Sequence, residues 1–96
     1  MHARLTVVTG SPGQIKDVAQ RINELVLPRL GGISGLRNAY FLSDDASGKT
    51  VAVTIFESEA DLIASREAVK SIREETVTAM GGTVQSVDEL EVIAQL

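Results

Sequence analysis

The segment TVAVTIF, Thr50 to Phe56, limits what this chain can fold into more than any other, because it reads as a strand with two apolar faces. Val51, Val53 and Ile55 fall on one side, and Ala52, Thr54 and Phe56 on the other, since successive strand side chains point to opposite faces. The pattern recurs: Leu5 and Val7 oppose Val8, Leu36 and Leu42 oppose Ala39 and Phe41, and Val92 opposes Ile93. A sheet with one wet face alternates apolar with polar residues, so this sheet must be covered on both sides. A chain of 96 residues makes one domain with a modest core, burying roughly 60–65% of the surface that its unfolded form exposes. Its own helices can shield one face only.

Periodicity and punctuation give the elements. Residues 3–9 are rich in β-branched side chains and predict the first strand. A helix start follows, with Ser11 as N-cap, Pro12 at the first helical position and Gln14 completing a capping box. Ile15, Val18, Ala19, Ile22, Leu25 and Val26 then recur at helical spacing. Pro28 kinks this helix or ends its regular part, and Gly31 and Gly32 predict a left-handed C-cap. Residues 36–43 predict the second strand, DDASGK a hairpin loop, and residues 50–57 the third strand. Ser58 and Asp61 form the next capping box. The helical region behind it carries an apolar stripe of Leu62, Val69, Ile72, Thr76, Ala79 and Met80, which ASRE can split in two. Gly81 and Gly82 close it, and the last strand is predicted over residues 88–96.

The order β-α-β-β-α-β is that of a ferredoxin-like α+β fold. Right-handed crossovers give a four-stranded antiparallel sheet of order 4-1-3-2 with the helices on one face, a single domain over residues 1–96. A second copy would cover the other face: two such sheets facing each other close an α/β barrel, a homodimer of twofold symmetry. The alternative is a monomer whose last segment or loops cover that face.

Composition narrows the partners. The net charge is −4 and the nine basic residues are scattered among acids, which argues against nucleic acid and against an anionic membrane surface. With no cysteine, disulfides, thiolate zinc sites, iron–sulfur clusters and cysteine nucleophiles are excluded. MHARLTVVTG has neither the basic start nor the long apolar run of a signal peptide, and the chain reads as cytoplasmic.

Phe56-Glu57-Ser58, running on into Glu59-Ala60-Asp61-Leu62, resembles the Trp-Glu-Ser turn from third strand to second helix in antibiotic biosynthesis monooxygenase (ABM) domains of the dimeric α/β-barrel superfamily. Chain length, element order and the Ser11-Pro12-Gly13 turn are also similar. The resemblance implies a pocket in each subunit between sheet and helices, here bordered by Thr54, Phe56 and Leu62. It implies a monooxygenase that uses neither metal nor flavin and acts on a hydrophobic or aromatic small molecule. The haem-degrading branch of such barrels uses a histidine about ten residues beyond the tryptophan and an asparagine on strand one. This chain has Phe56 in place of the tryptophan, Arg66 near the histidine position and no asparagine on strand one, so haem degradation is not expected, nor is any other cofactor or metal.

Three polar groups are candidates for chemistry. Asn38 and Tyr40 share one face of strand two and can orient a ligand carbonyl or phenolate, or simply sit at the wet sheet margin. Arg66, with Arg4 and Arg37, can hold an anion or make ordinary surface ion pairs. His2, the single histidine, has no visible partner. Ser11-Pro12-Gly13 matches no phosphate-binding fingerprint, and the adjacent acids Asp44-Asp45, Glu74-Glu75 and Asp88-Glu89 are not spaced as a catalytic pair. Three functions stand: a cofactor-free monooxygenase, a non-catalytic ligand-binding or sensing module, and a structural dimer with a vestigial pocket. The polar content of the pocket separates them.

Overall fold

The computed structural model describes residues 1–96. In chain order it has β1 (His2–Thr9), α1 (Ile15–Arg21), a π-helical stretch (Ile22–Val26), α2 (Leu27–Leu30), β2 (Leu36–Asp44), β3 (Lys49–Phe56), α3 (Glu59–Ala64), α4 (Arg66–Ala79) and β4 (Thr83–Glu91). The four strands form one antiparallel sheet in the order β2-β3-β1-β4, the expected topology. The core lies between sheet and helices, where Ile22, Val26, Leu30 and Ile72 pack on Leu36, Ala39 and Phe41.

Register sorts the two faces. β1 pairs with β3 so that Arg4 meets Thr54, Thr6 meets Ala52 and Val8 meets Thr50 on the helix side. Ala3 meets Ile55, Leu5 meets Val53 and Val7 meets Val51 on the open side. Tyr40 and Leu42 extend that open face from β2 and are 55% and 56% exposed. The second face is apolar, as read from the sequence: Ala3 on it is buried, Leu5, Val7, Val51, Val53 and Ile55 are partly buried, and Tyr40, Leu42 and Leu90 are exposed.

Local structure departs from expectation in four places, each with a physical cause, while Pro28 acts as expected. Ser11 does not cap α1. Gly13 turns the chain at φ 80°, so the helix starts only at Ile15, whose N–H donates to Asp45 Oδ1 in the β2–β3 loop at 3.1 Å. Pro28 ends the regular helix without breaking the rod. The Leu27 N–H donates five residues back to the Ile22 carbonyl, and the widened turn places Pro28 in the first turn of α2, where no N–H is needed. Gly31 stays right-handed at φ −59°, and the left-handed residue of that turn is Gly35 at 78°. At the other end the expectation is met by Gly81 at 65°.

The third departure is a bulge between Leu36 and Asn38, which turns Leu36 to the helix side rather than alongside Leu42. Lastly, β4 occupies Thr83–Glu91 instead of 88–96. Its only neighbour, β1, runs out at His2 opposite Glu91; beyond it the Val92 N–H reaches the Met1 carbonyl, and Ile93 and Leu96 are fully exposed. The remaining two features are as expected. Ser58 caps α3, its Oγ accepting from the Asp61 N–H at 3.1 Å, and the helical region breaks at Ser65.

Gly48 closes the β2–β3 hairpin at φ 76°, and a Cβ there would collide with the Gly10 carbonyl. The same two residues share a hydrogen bond, Gly10 N–H to Gly48 O at 2.9 Å. Gly48→Ala should therefore cost about 2 kcal/mol, read as a lower urea midpoint at unchanged slope.

Candidate functional site

A cavity of about 80 Å³ lies between the sheet and the helices. Ile22, Val26 and Leu30 wall it from the first helical layer, Val69 and Ile72 from α4 and Phe41 from β2. Its floor is polar: Thr6, Thr50 and Thr54 rise from β1 and β3, all buried. Thr54 is 6% exposed and its Oγ1 is buried with no partner in the protein. An unmatched buried hydroxyl costs about 1–3 kcal/mol, so Thr54 is poised to meet a polar atom of whatever fills the space.

Arg4 and Arg73 close one end of the cavity. Arg4 is 2% exposed, and four of its five N–H donors are engaged. They reach Glu89 Oε2 at 2.8 Å, the Ser65 hydroxyl at 3.2 Å and the Leu62 carbonyl at 3.2 Å, while the guanidinium carbon stands 5.5 Å from the centre of the Phe56 ring. This is no surface ion pair of the expected kind. Glu89 is shared with Arg66, whose Nη2 lies 2.7 Å from Oε1. Hydrogen bonds from Arg66 and Arg4 hold the Glu89 carboxyl below the usual range. Arg73 has no ion-pair partner; burial, and then the nearby charge of Arg4, lower its pKa.

Arg4 and Arg73 also border a wider outer cleft of about 430 Å³ between α4 and β4, with Arg66, Lys70, Glu67, Asp88 and Glu89. The inner cavity and this cleft thus share two cationic residues.

The other sequence candidates scatter. Thr54 lines the cavity; Phe56 and Leu62 are 0% and 1% exposed and belong to the packing around Arg4 rather than to the cavity wall. Arg66 borders the outer cleft alone. Asn38 and Tyr40 pair with Ile55 and Val53, on the face turned away from the helices. His2 meets Glu59 at 3.2 Å, and Arg37 meets Glu57 at 3.3 Å. Sequence reading missed Arg73. The signal was its place one residue after Ile72 and four after Val69, at the margin of the apolar stripe of α4.

Strand order, helix placement and the cavity between them define the class: this is an ABM-like ferredoxin fold, shared with solved antibiotic biosynthesis monooxygenase structures. The monooxygenase of ActVA-Orf6 from Streptomyces coelicolor, solved with the ligand nanaomycin D, superposes with a TM-score of 0.70 at 12% identity, covering 99% of this chain and 90% of that one. A dimeric ferredoxin-like protein from an uncultured marine organism superposes at 0.73 with 11% identity, covering 99% and 96%. An MhuD variant solved with two manganese protoporphyrin IX molecules per active site superposes at 0.65 with 15% identity, covering 100% and 98%. At these identities the likeness is one of fold.

By sequence the chain is similar to two proteins of Mycobacterium tuberculosis, uncharacterized protein MT2634 of strain CDC 1551 and uncharacterized protein Rv2557 of strain H37Rv. Each is 31% identical over 94 residues, which take in 98% of this chain and 42% of the relative, so the chain spans less than half the length of these relatives. No family model matches.

A porphyrin does not fit the cavity. Its macrocycle is several times larger than 80 Å³, and Met80 is the one lining side chain of a type that ligates haem iron.

The Arg4 network makes two outcomes measurable. Arg4→Ala should lower unfolding stability by about 3 kcal/mol, since it strands buried partners; urea titration measures this. The second concerns pH. Glu89 has a folded pKa below its unfolded value near ~4.3, so its contribution is complete above that value and lost as pH falls through the folded pKa. The stability gap between wild type and Glu89→Gln should stay constant above about pH 5.5 and shrink below about pH 4.3. A gap that widens on acidification would contradict the ion pairing.

Proposed function

We propose that residues 1–96 are a single cytoplasmic domain, one subunit of a homodimer that closes an α/β barrel, and that each subunit binds a small hydrophobic or aromatic molecule in the cavity between sheet and helices. The observation that carries the ligand reading is the unpartnered Thr54 hydroxyl on the threonine floor of a cavity with apolar walls. Most buried polar side-chain atoms find a partner, so the unpartnered hydroxyl supports a ligand over a filled interior.

The dimer rests on the open face. Only 14 of 96 residues are buried while eleven large apolar side chains are exposed, Tyr40, Leu42 and Leu90 among them on that face. Exposed apolar surface of that extent marks an association site. Asn38 and Tyr40 would then serve at the interface rather than in the cavity. No helix is long and apolar enough to cross a membrane.

One observation favours chemistry over binding alone. Arg73 presents a cation with no direct ion-pair partner at the cavity end, which can stabilise a substrate oxyanion. In cofactor-free oxygenation a phenol and O₂ yield a quinone and water, the substrate itself supplying the electrons. The cavity lining offers threonine hydroxyls and arginines and no carboxylate or imidazole, so such a substrate must ionise without an enzyme base.

Sedimentation velocity at micromolar concentration should give about twice the chain mass of 10.2 kDa, and Val53→Lys, on the open face, should give monomer. A wild-type monomer would remove the dimer. With phenol as test compound, calorimetry should detect binding. Oxygen-electrode consumption matched by quinone formation supports the monooxygenase reading; binding without oxygen uptake leaves a ligand-binding module.

A further inference from the structure

The inner cavity and the outer α4–β4 cleft differ in kind. The cavity offers apolar walls and the Thr54 hydroxyl. The cleft is bordered by Arg4, Arg66, Lys70 and Arg73 against Glu67, Asp88 and Glu89. Its charges are not equally available. Arg4 and Arg66 both bind Glu89 and neutralise it, whereas Lys70 and Arg73 have no ion-pair partner. Arg73 borders both spaces, so the free cation sits where the polar cleft gives way to the apolar cavity. Glu74 and Glu89 act on Arg73 only through space, without a contact ion pair, so a ligand carboxylate would give this half-buried guanidinium its first direct partner.

We infer that the site takes an amphiphilic carboxylate, its head between Arg73 and Lys70 at the α4–β4 cleft and its apolar body in the cavity over Thr54. This rests on the cavity being a ligand site and adds the chemical class of the ligand. The cavity sets the length of the body. At ~10–15 Å³ for each water-sized group, 80 Å³ holds about five to eight heavy atoms, the length of a medium acyl chain or the size of one aromatic ring. Glu67 borders the cleft as well and restricts the head to a single negative charge. A neutral ligand of the same shape fills the cavity equally but leaves Arg73 unpaired.

The test compares octanoate with 1-octanol by calorimetry on the full chain at low ionic strength. Wild type should bind octanoate about tenfold more tightly than octanol. Arg73→Gln should weaken octanoate about tenfold and change octanol less than about twofold, and Arg73→Lys should retain most of the preference. Circular dichroism melts confirm that each variant folds. Methyl NMR should place octanoate through shifts at Val26, Leu30 and Ile72, whereas shifts confined to Val51, Val53 and Ile55 would put it on the open face and overturn the assignment. Equal affinity of wild type for the two compounds, or octanoate binding unaffected by Arg73→Gln, overturns the inference while the cavity remains a ligand site. If neither compound binds, the cavity reading fails and the inference falls with it.

Discussion

Arg4 lies on the helix side of β1 with its side chain 3% exposed, and its guanidinium is divided among three neighbouring segments. Glu89 comes from β4, Ser65 and the Leu62 carbonyl from the break between α3 and α4, and the Phe56 ring from the end of β3. Moving a guanidinium out of water costs several kcal/mol and is offset only when its donors are matched. The matched partners lie 58, 61 and 85 residues away in the chain, so this one side chain is satisfied only when β4 has docked in register and the helical region has broken at Ser65. The ion pair adds little net stability over an apolar replacement. Its effect is to tie the edge strand and the helix break to the central strand, and so to fix one end of the cavity.

The same region explains why the interior is polar. A sheet built for stability alone would carry aliphatic side chains beneath its helices, as the other face of this sheet does with Leu5, Val7, Val51, Val53 and Ile55. Under the helices stand Arg4, Thr6, Thr50 and Thr54 instead, all buried. Thr50 finds a partner, its hydroxyl lying 2.6 Å from that of Ser43; Thr54 does not. On its two central strands the chain thus places several polar groups on the enclosed face and aliphatic ones on the open face, the reverse of what an isolated two-layer domain needs.

Much of this was legible in the sequence. The two-faced third strand, the element order and the cap at Ser58 depend on local patterns, and local patterns survive folding. What escaped depends on residues far apart in the chain. The cap of α1 comes from Asp45, 30 residues beyond Ile15. The β4 register is set by the length of β1, and the bulge that turns Leu36 inward is a feature of strand pairing. Of the site residues expected, Thr54 is the one that lines the cavity. Asn38 and Tyr40 share a face, as expected, but alternation alone cannot say which face the helices choose, and they chose the other. Arg73 was hidden because a helical arginine at a stripe margin looks like a solvated charge until the cleft behind it is seen.

β3 belongs to both halves of the problem. Thr54 points into the cavity between Val53 and Ile55, which point outward, so one short segment carries the cavity floor on one side and the dimer face on the other. In the proposed dimer, covering Val53 and Ile55 holds the backbone that positions the Thr54 hydroxyl. Ligand binding and association would then be thermodynamically linked, each favouring the other by the same factor. The α4–β4 cleft opens on the helix side of the sheet, away from the face to be covered. A ligand reading Arg73 can therefore reach the cavity without separating the subunits, and exchange of the small molecule need not compete with the assembly that keeps the sheet dry.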